Sequence, residues 1–337
     1  MPSIVQFFHP GLEHKYNFTN KENQHIRTWN ICDHRRKFMV HDGQYIENNI
    51  KKNGKLLFWC EWEPPSIVER LSQYGKTFTK KEYPEYLHYP FLPPVDKIKE
   101  YQKSGYQNTD PFIFGNAFRY SNCKQAYYPS LKKLEKGSLI LFGSRVNFRF
   151  AIDTVFVVNE FESYTVSLIN KFENLGIFYQ IVLKTFQNTK CNSSQGEKVL
   201  YTGATYDQKV NGMFSFVPSI KYEGEKIGFP RVIMPDKFYD EKFNKYHKYF
   251  SRWSRENGKI TEKASRGIKI TTHDVSIDEI RCFWEYLMEV ISENYVLGVS
   301  FKNPEHKNIT IKDEKAVLCS KKRNKQTCSG LPVRTCR

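Results

Sequence analysis

The chain has no Cys-x-x-Cys pair among its eight cysteines, so a zinc knuckle is not expected. It also has no G-x-x-x-x-G-K-[ST] and no G-x-G-x-x-G, which leaves no recognisable cradle for a nucleotide phosphate. G-x-S-x-G and H-E-x-x-H are missing as well, removing the simplest hydrolase and metalloprotease patterns. The longest apolar runs, such as SLILFG and TVFVV, are strand-sized, so no membrane partner is expected. The start, MPSIVQFFHPGLEH, lacks a basic stretch followed by an apolar run, so no export signal is read there. Eight cysteines without export then point to reduced thiols in a cytoplasm.

Acidic residues are in short supply. Lys and Arg number 52 against 36 Asp and Glu, a formal charge of +16. That surplus favours a polyanionic partner, and nucleic acid is the commonest one, with DNA expected ahead of RNA. From Lys315 onward the chain carries basic residues and no acidic one, reading as a basic tail over 315–337. Aromatic residues make up 15% of the 337 positions, so rings must do much of the burial.

The pattern predicts an α+β fold. Strands are expected at 3–8, 26–31, 55–62, 138–144 and 148–161, with a turn at Lys136-Gly137 leading into the fourth. SIVERLSQYG (66–75) suggests a short helix in an otherwise irregular stretch rich in Pro and Tyr. A helix is expected at 163–174, and a strand or short helix at 176–186. Tyr239, Phe243, Tyr246, Phe250 and Trp253 recur at helical spacing over 236–255, and lysines and arginines fill the positions between. A second helix begins at Ser276, with Glu279 in the capping-box position and a stripe of Ile280, Phe283, Trp284, Leu287 and Ile291. The polar run 187–198 divides the chain into a β-rich part (1–186) and an α+β part (199–314).

Chemistry concentrates near the N-terminus, where five of the nine histidines fall within the first 41 residues. His9, Glu13 and His14 could supply metal ligands, but Pro10-Gly11 makes the segment a turn without ligand geometry. Hydrogen-bonding surface histidines are the simpler reading, and neither a metal nor an organic cofactor is expected. Arg35, Arg36 and Lys37 in DHRRKF offer phosphate contacts.

The sharper signal is FWCEWEPPS at 58–66. On a strand, Trp59, Glu61 and Glu63 share one face, and Trp62 lies on the other with Phe58 and Cys60. Carboxylates beside tryptophan suit a pocket that stacks a base and accepts from its amino edge. Glu61 or Glu63 could also act as an acid or base on a sugar or a base. A solvated edge strand with two ordinary glutamates is the alternative. Asp153 sits in the apolar run FAIDTVFVV, where a carboxylate must be paired. Arg145 and Arg149 are the nearby partners, and they also offer phosphate contacts. A structural salt bridge explains Asp153 most simply, with catalysis the alternative. Asn116, Arg119 and Tyr120 in GNAFRYSN form a polar loop suited to base edges.

The block GSLILFGSRVNFRFAIDTVFVV (137–158) resembles the turn, strand and return strand of PUA-like domains of the EVE and ASCH families. The resemblance implies a small mixed or antiparallel β-barrel with peripheral helices, holding a base that is often modified, in nucleic-acid processing or phage defence. The series HPGLEH, WN, HRRKF and FWCEWEPPS is similar to segments of uncharacterised prokaryotic proteins. The expected function is therefore a nucleic-acid-binding protein that holds an extruded or modified base around Trp59, Glu61, Trp62 and Glu63. Two alternatives stand beside it. One is a DNA glycosylase-type hydrolase using Glu61, Glu63 or Asp153, and the other is a metal-dependent hydrolase using His9, Glu13 and His14.

Overall fold

The computed structural model describes residues 2–9, 13, 15–16, 24–31, 34–71, 83–101, 106–146, 149–187, 196–225, 228–233, 246, 249, 253–256, 259–262, 268–271 and 275–309. The fold is α+β and dominated by two mixed seven-stranded sheets. In the first sheet the parallel pair β1 (Ile4–His9) and β8 (Leu139–Val146) lies beside β9 (Arg149–Tyr164) and β10 (Lys198–Gly203). Short strands β7 (Arg119–Tyr120), β12 (Val232–Ile233) and β15 (Ile268–Thr271) complete it. The second sheet contains β2 (Gln24–Arg27), β3 (Arg36–Glu47), β4 (Ile50–Glu61), β5 (Ser66–Arg70), β6 (Tyr86–Pro90), β11 (Val217–Lys221) and β16 (Val296–Phe301). Both sheets take strands from either side of the 187–198 run, which therefore does not separate one sheet from the other.

The two long strands of the second sheet form a hairpin paired from Arg36↔Glu61 to Glu47↔Ile50. Asn48 and Asn49 make its tip with φ of 51° and 62°, a left-handed conformation that asparagine tolerates better than most residues. Period-two alternation then sorts side chains onto two faces. Met39, Phe58, Cys60 and Trp62 meet Val5, Phe7, Ile140 and Phe142 of the first sheet in the main core. Phe38, Val40, Leu57 and Trp59 pack on the opposite face with Leu87 and Phe229. On the far side of the first sheet, Ile4, Leu139, Leu141 and Val157 are covered by the helix Ile277–Ser292. Ser276 Oγ accepts from the Glu279 amide at 3.1 Å, and the five expected stripe residues are buried.

Several expectations change. SIVERLSQYG is not a helix over its described part: Ser66–Arg70 is β5, paired with both β2 and β6. A short segment with two β-branched residues gains more from ladder bonds on both edges than from an isolated helical turn. Residues 166–175 form a 3₁₀ rather than an α-helix, and 179–187 form a π-turn running into a short helix. Most of the expected 236–255 helix lies outside the described residues. Tyr246 and Tyr249 do pack on Phe283, with ring centroids 5.0 and 5.2 Å away. Trp253–Glu256, however, is a strand (β13) paired with β14 (Lys259–Glu262). The 315–337 tail lies outside the described residues.

Candidate functional site

The site is built where the open end of the β3–β4 hairpin meets the end of β1. Arg36 opens β3 directly opposite Glu61 at the end of β4, as a cross-strand pair of opposite charge. Both are buried, with Arg36 Nη1 3.3 Å from Glu61 Oε2. Asp153 joins them through a β-bulge. Phe142 pairs with Thr154 and Gly143 with Ile152, leaving Asp153 as the extra residue. Gly143 is required there, because a Cβ would lie 2.2 Å from the Ala151 carbonyl oxygen. The bulge turns Asp153 toward Arg36, whose Nε lies 2.8 Å from Oδ2, and toward Arg231, 3.7 Å away. The expected partners Arg145 and Arg149 fall on β8 and β9 with side chains outside the described residues. The contacts described for Asp153 come from residues distant in sequence.

Glu61 is the hub. Its Oε2 meets His9 Nδ1, its Oε1 lies 2.7 Å from His34 Nδ1, and the Asp110 amide donates to Oε1 at 3.4 Å. Burial would raise this carboxyl, but the His34 charge and the hydrogen bond from His9 outweigh it and hold it well below the carboxylate range. Glu63 is likewise buried, and its Oε1 takes Lys37 Nζ at 2.8 Å while Asn30 donates to Oε2. Lys37 and His34 overcome the burial penalty and hold Glu63 at about 2.

The two histidines on Glu61 carry opposite states. Burial dominates at His9 and lowers it to about 4, so the ring is neutral. At His34, burial works the same way, but Glu61 and Glu63 outweigh it and raise the ring to about 10. His34 retains 22% side-chain exposure, so solvent screens part of that attraction, but the direction stands. The ring centroids are 6.0 Å apart. A neutral base and a protonated acid thus share one carboxylate.

His9 Nε2 faces Cys123 Sγ at 3.2 Å. Cys123 sits on a loop whose Ser121, Asn122 and Cys123 amides all donate to the buried Asp110 carboxylate, at 2.9, 2.9 and 2.6 Å. Burial raises Asp110 to about 7 against the pull of those amides. Cys123 and Asp110 carry no sequence signal for this role. Cysteine spacing speaks only to pairs of cysteines, and the separation of 114 positions between His9 and Cys123 hides their contact.

The remaining sequence candidates scatter. Trp59 shares a face with Glu61 as expected, but its ring is packed against Phe38 and under the Arg231 guanidinium, 3.8 Å from the ring centroid. Trp62 is fully buried in the main core, edge-on to Phe114, with Nε1 donating to the Pro65 carbonyl at 2.9 Å. Protein atoms occupy the ring faces that were expected to stack a base. Arg36 and Lys37 are buried among carboxylates rather than set out for phosphates, and Arg35 is half-exposed beside them. Tyr120 is buried and donates to the Cys123 carbonyl at 2.7 Å. Arg119 is held by Asn116 Oδ1 at 2.9 Å and lies over the Phe178 ring. Asn116 itself is exposed and lines an open groove of about 760 Å³ with Lys51, Lys55 and Lys302.

His34, Glu61 and Glu63 offer three ligand atoms within 4.8 Å of one another. Arg36 and Lys37 already neutralise these carboxylates and His34 holds a proton, so a divalent ion would have to displace cations in place. We assign no metal there. Glu13 turns away to accept the Glu85 amide at 2.8 Å, and His14 lies outside the described residues. No family model, curated protein or solved structure matches this chain, so its function has to be read from its own residues.

Proposed function

We propose that this chain is a hydrolase acting on a modified nucleic acid, with its reaction centre in the network around Glu61. The observation that carries the reading is that two histidines meet the two oxygens of one buried carboxylate, His9 Nδ1 at Oε2 and His34 Nδ1 at Oε1, in surroundings that push the first ring down and the second up. Groups whose environments push their proton affinities apart supply a base and an acid at the same pH. A salt bridge that serves packing alone needs no solvent-facing end. Here His34 and Cys123 are both partly exposed. Glu61 is buried, takes hydrogen bonds from His9, Arg36 and the Asp110 amide and lies against the His34 ring, which suits an orienting anion better than a proton donor.

Two features favour a polyanionic substrate. One is the +16 charge, and the other is the groove beside Asn116, where Lys51, Lys55 and Lys302 outnumber Asp42 and Asp207. That groove also favours a second reading, a reader that holds a base there without chemistry. Incubation with unmodified DNA, base-modified phage DNA and RNA, scoring retention and released product, separates the two. The hydrolase reading expects product from the modified polymer, lost in Glu61→Gln while retention survives. Retention with no product leaves the reader. Neither retention nor product removes both.

A further inference from the structure

Cys123 is held in the relation to His9 and Glu61 that an activated nucleophile requires. Glu61 is ionised and has no proton to give, so His9 Nδ1 carries the hydrogen that joins them. The other ring nitrogen, Nε2, then has a free lone pair facing the Cys123 thiol at 3.2 Å. Burial disfavours the charged ring, and the ionised Glu61 at Nδ1 works against that burial by stabilising the imidazolium that forms when the proton is transferred. Thiol, imidazole and carboxylate stand in the order that converts a weak nucleophile into a strong one.

The loop that carries the sulfur is fixed from several sides. Asp110 gathers three consecutive amides, the Tyr120 hydroxyl donates to the Cys123 carbonyl, and the Tyr164 hydroxyl donates to the Ser121 carbonyl at 3.1 Å. Gln125 pins the same loop to β10, donating to Val199 O at 2.7 Å and accepting from its amide at 2.8 Å. Cys123 is nevertheless only half-buried, next to the exposed Lys124. By contrast Cys60 is sealed in the core against Met39. Burial, with Asp110 and Glu61 nearby, raises the Cys123 thiol well above its usual range, so its proton leaves only as His9 takes it. The Arg36 charge opposes that rise, and Arg36 Nη2 has no hydrogen-bond partner among the described residues. It is a donor ready for negative charge that develops during reaction.

We propose that Cys123 is a nucleophile with His9 as its general base and Glu61 as a positioning residue, and that the site cleaves an ester or amide carbonyl. This rests on the Glu61 network being the reaction centre, not on which polymer carries the acyl group. In the first half-reaction the Sγ proton passes to His9 Nε2 as sulfur bonds to the carbonyl carbon. The bond from that carbon to the leaving oxygen or nitrogen breaks, and the leaving atom takes the proton from His9. Water then adds to the thioester, giving a proton to His9. The carbon–sulfur bond breaks, and sulfur recovers that proton. The products are a carboxylic acid and an alcohol or amine.

The full chain is treated with p-nitrophenyl acetate, quenched in acid and mapped by mass spectrometry. A parallel sample is alkylated with iodoacetamide, using the half-buried Cys282 of the C-terminal helix as internal reference. We expect a burst of nitrophenolate with an acetyl group on Cys123, absent in Cys123→Ser. His9→Asn should slow Cys123 alkylation at least tenfold at pH 7.5 and leave Cys282 unchanged. Glu61→Gln, which keeps an acceptor for Nδ1–H, should give an intermediate rate, and Glu61→Ala one as slow as His9→Asn. No acetyl group on wild-type Cys123 overturns the proposal, even where a variant fails to fold. So does an alkylation rate that ignores His9 while Cys282 reports an intact fold. Product release from nucleic acid that persists in Cys123→Ser removes the cysteine but leaves the centre. Acetylation of Cys123 with no action on any nucleic acid leaves the cysteine and removes the polymer.

Discussion

The β3–β4 hairpin carries oppositely charged pairs at both ends, and their lengths overlap, with His34–Glu61 at 2.7 Å and Lys37–Glu63 at 2.8 Å at the buried end. At the solvated end, Lys52 Nζ is 2.6 Å from Glu47 and Lys51 Nζ is 2.6 Å from Asp207. At the buried end, Arg36 and Glu61 stand 3.3 Å apart. Distance does not set the value of an ion pair; the alternative open to each partner does. A surface lysine that loses its carboxylate returns to water, so such pairs contribute little. A charge sealed between two sheets has no such exit, and removing its partner strands it. One hairpin therefore holds a rigid, charge-balanced centre at one end and a soluble, adaptable surface lining the Asn116 groove at the other.

Breaking the buried end should give the largest effect. Arg36→Ala leaves Glu61 and Asp153 each short of a cation, and we expect a loss of about 3–5 kcal/mol in denaturant unfolding. A loss below about 1 kcal/mol would mean that water reaches these carboxylates and that the contrast between the two ends is false.

The next effect is a pH dependence. Burial lowers His9 from 6.5 to about 4, so in that interval the unfolded chain takes up a proton that the folded chain refuses. A lowered base stabilises the fold fully above 6.5 and loses that contribution as pH falls toward 4, by about 3 kcal/mol across the window. Asp110, raised to about 7, acts with the opposite sign, so the wild-type curve alone is ambiguous. The difference between wild type and His9→Asn isolates His9: it should shrink on acidification between pH 6.5 and about 4. A difference that stays constant would show that His9 is protonated in the fold.

The two ends also differ in how far the sequence discloses them. The alternation of FWCEWEPPS sets Trp59 and Glu61 on one face, because strand geometry is local, and Ser276 with Glu279 announces a helix start for the same reason. What alternation cannot supply is what covers each face. Trp59 is capped by Arg231, far along the chain, and Asp153 meets Arg36 and Arg231, which no local pattern links to it. The bulge that aims Asp153 depends on pairing between β8 and β9. Ser66–Arg70 reads as helical in isolation because its partners on both edges are separate segments, Gln24–Arg27 and Tyr86–Pro90. The network around Glu61 is thus visible as a set of residue types, while Cys123 and Asp110 enter it only through folding.

At the solvated end, effects should appear in binding rather than in stability. Lys51 and Lys55 are exposed and line the groove with Asn116. If the groove tracks a phosphate backbone, Lys51→Ala with Lys55→Ala should weaken retention of DNA. The double change should lower the dependence of log affinity on log salt by about one for each phosphate that is no longer neutralised. The unfolding midpoint should not move. An unchanged salt slope would exclude this groove as the nucleic-acid surface and leave the charge elsewhere on the molecule to account for binding.

The smallest effect is expected from Lys52→Ala, and it tests the comparison from its quiet side. Glu47 is shared between Lys52 and Lys221, the second at 3.0 Å, so losing one lysine leaves the carboxylate with a partner and with water. Its carboxyl is lowered chiefly by hydrogen bonds from these two lysines, and either one can take up part of what the other gave. The hairpin register does not depend on this pair, because the Asn48-Asn49 turn and the unbroken pairing from Arg36↔Glu61 to Glu47↔Ile50 already fix it. The denaturation midpoint of Lys52→Ala should therefore coincide with wild type at both low and high salt. A salt-dependent shift would mean that the exposed end also carries an electrostatic load, and that burial alone does not separate the two ends of the hairpin.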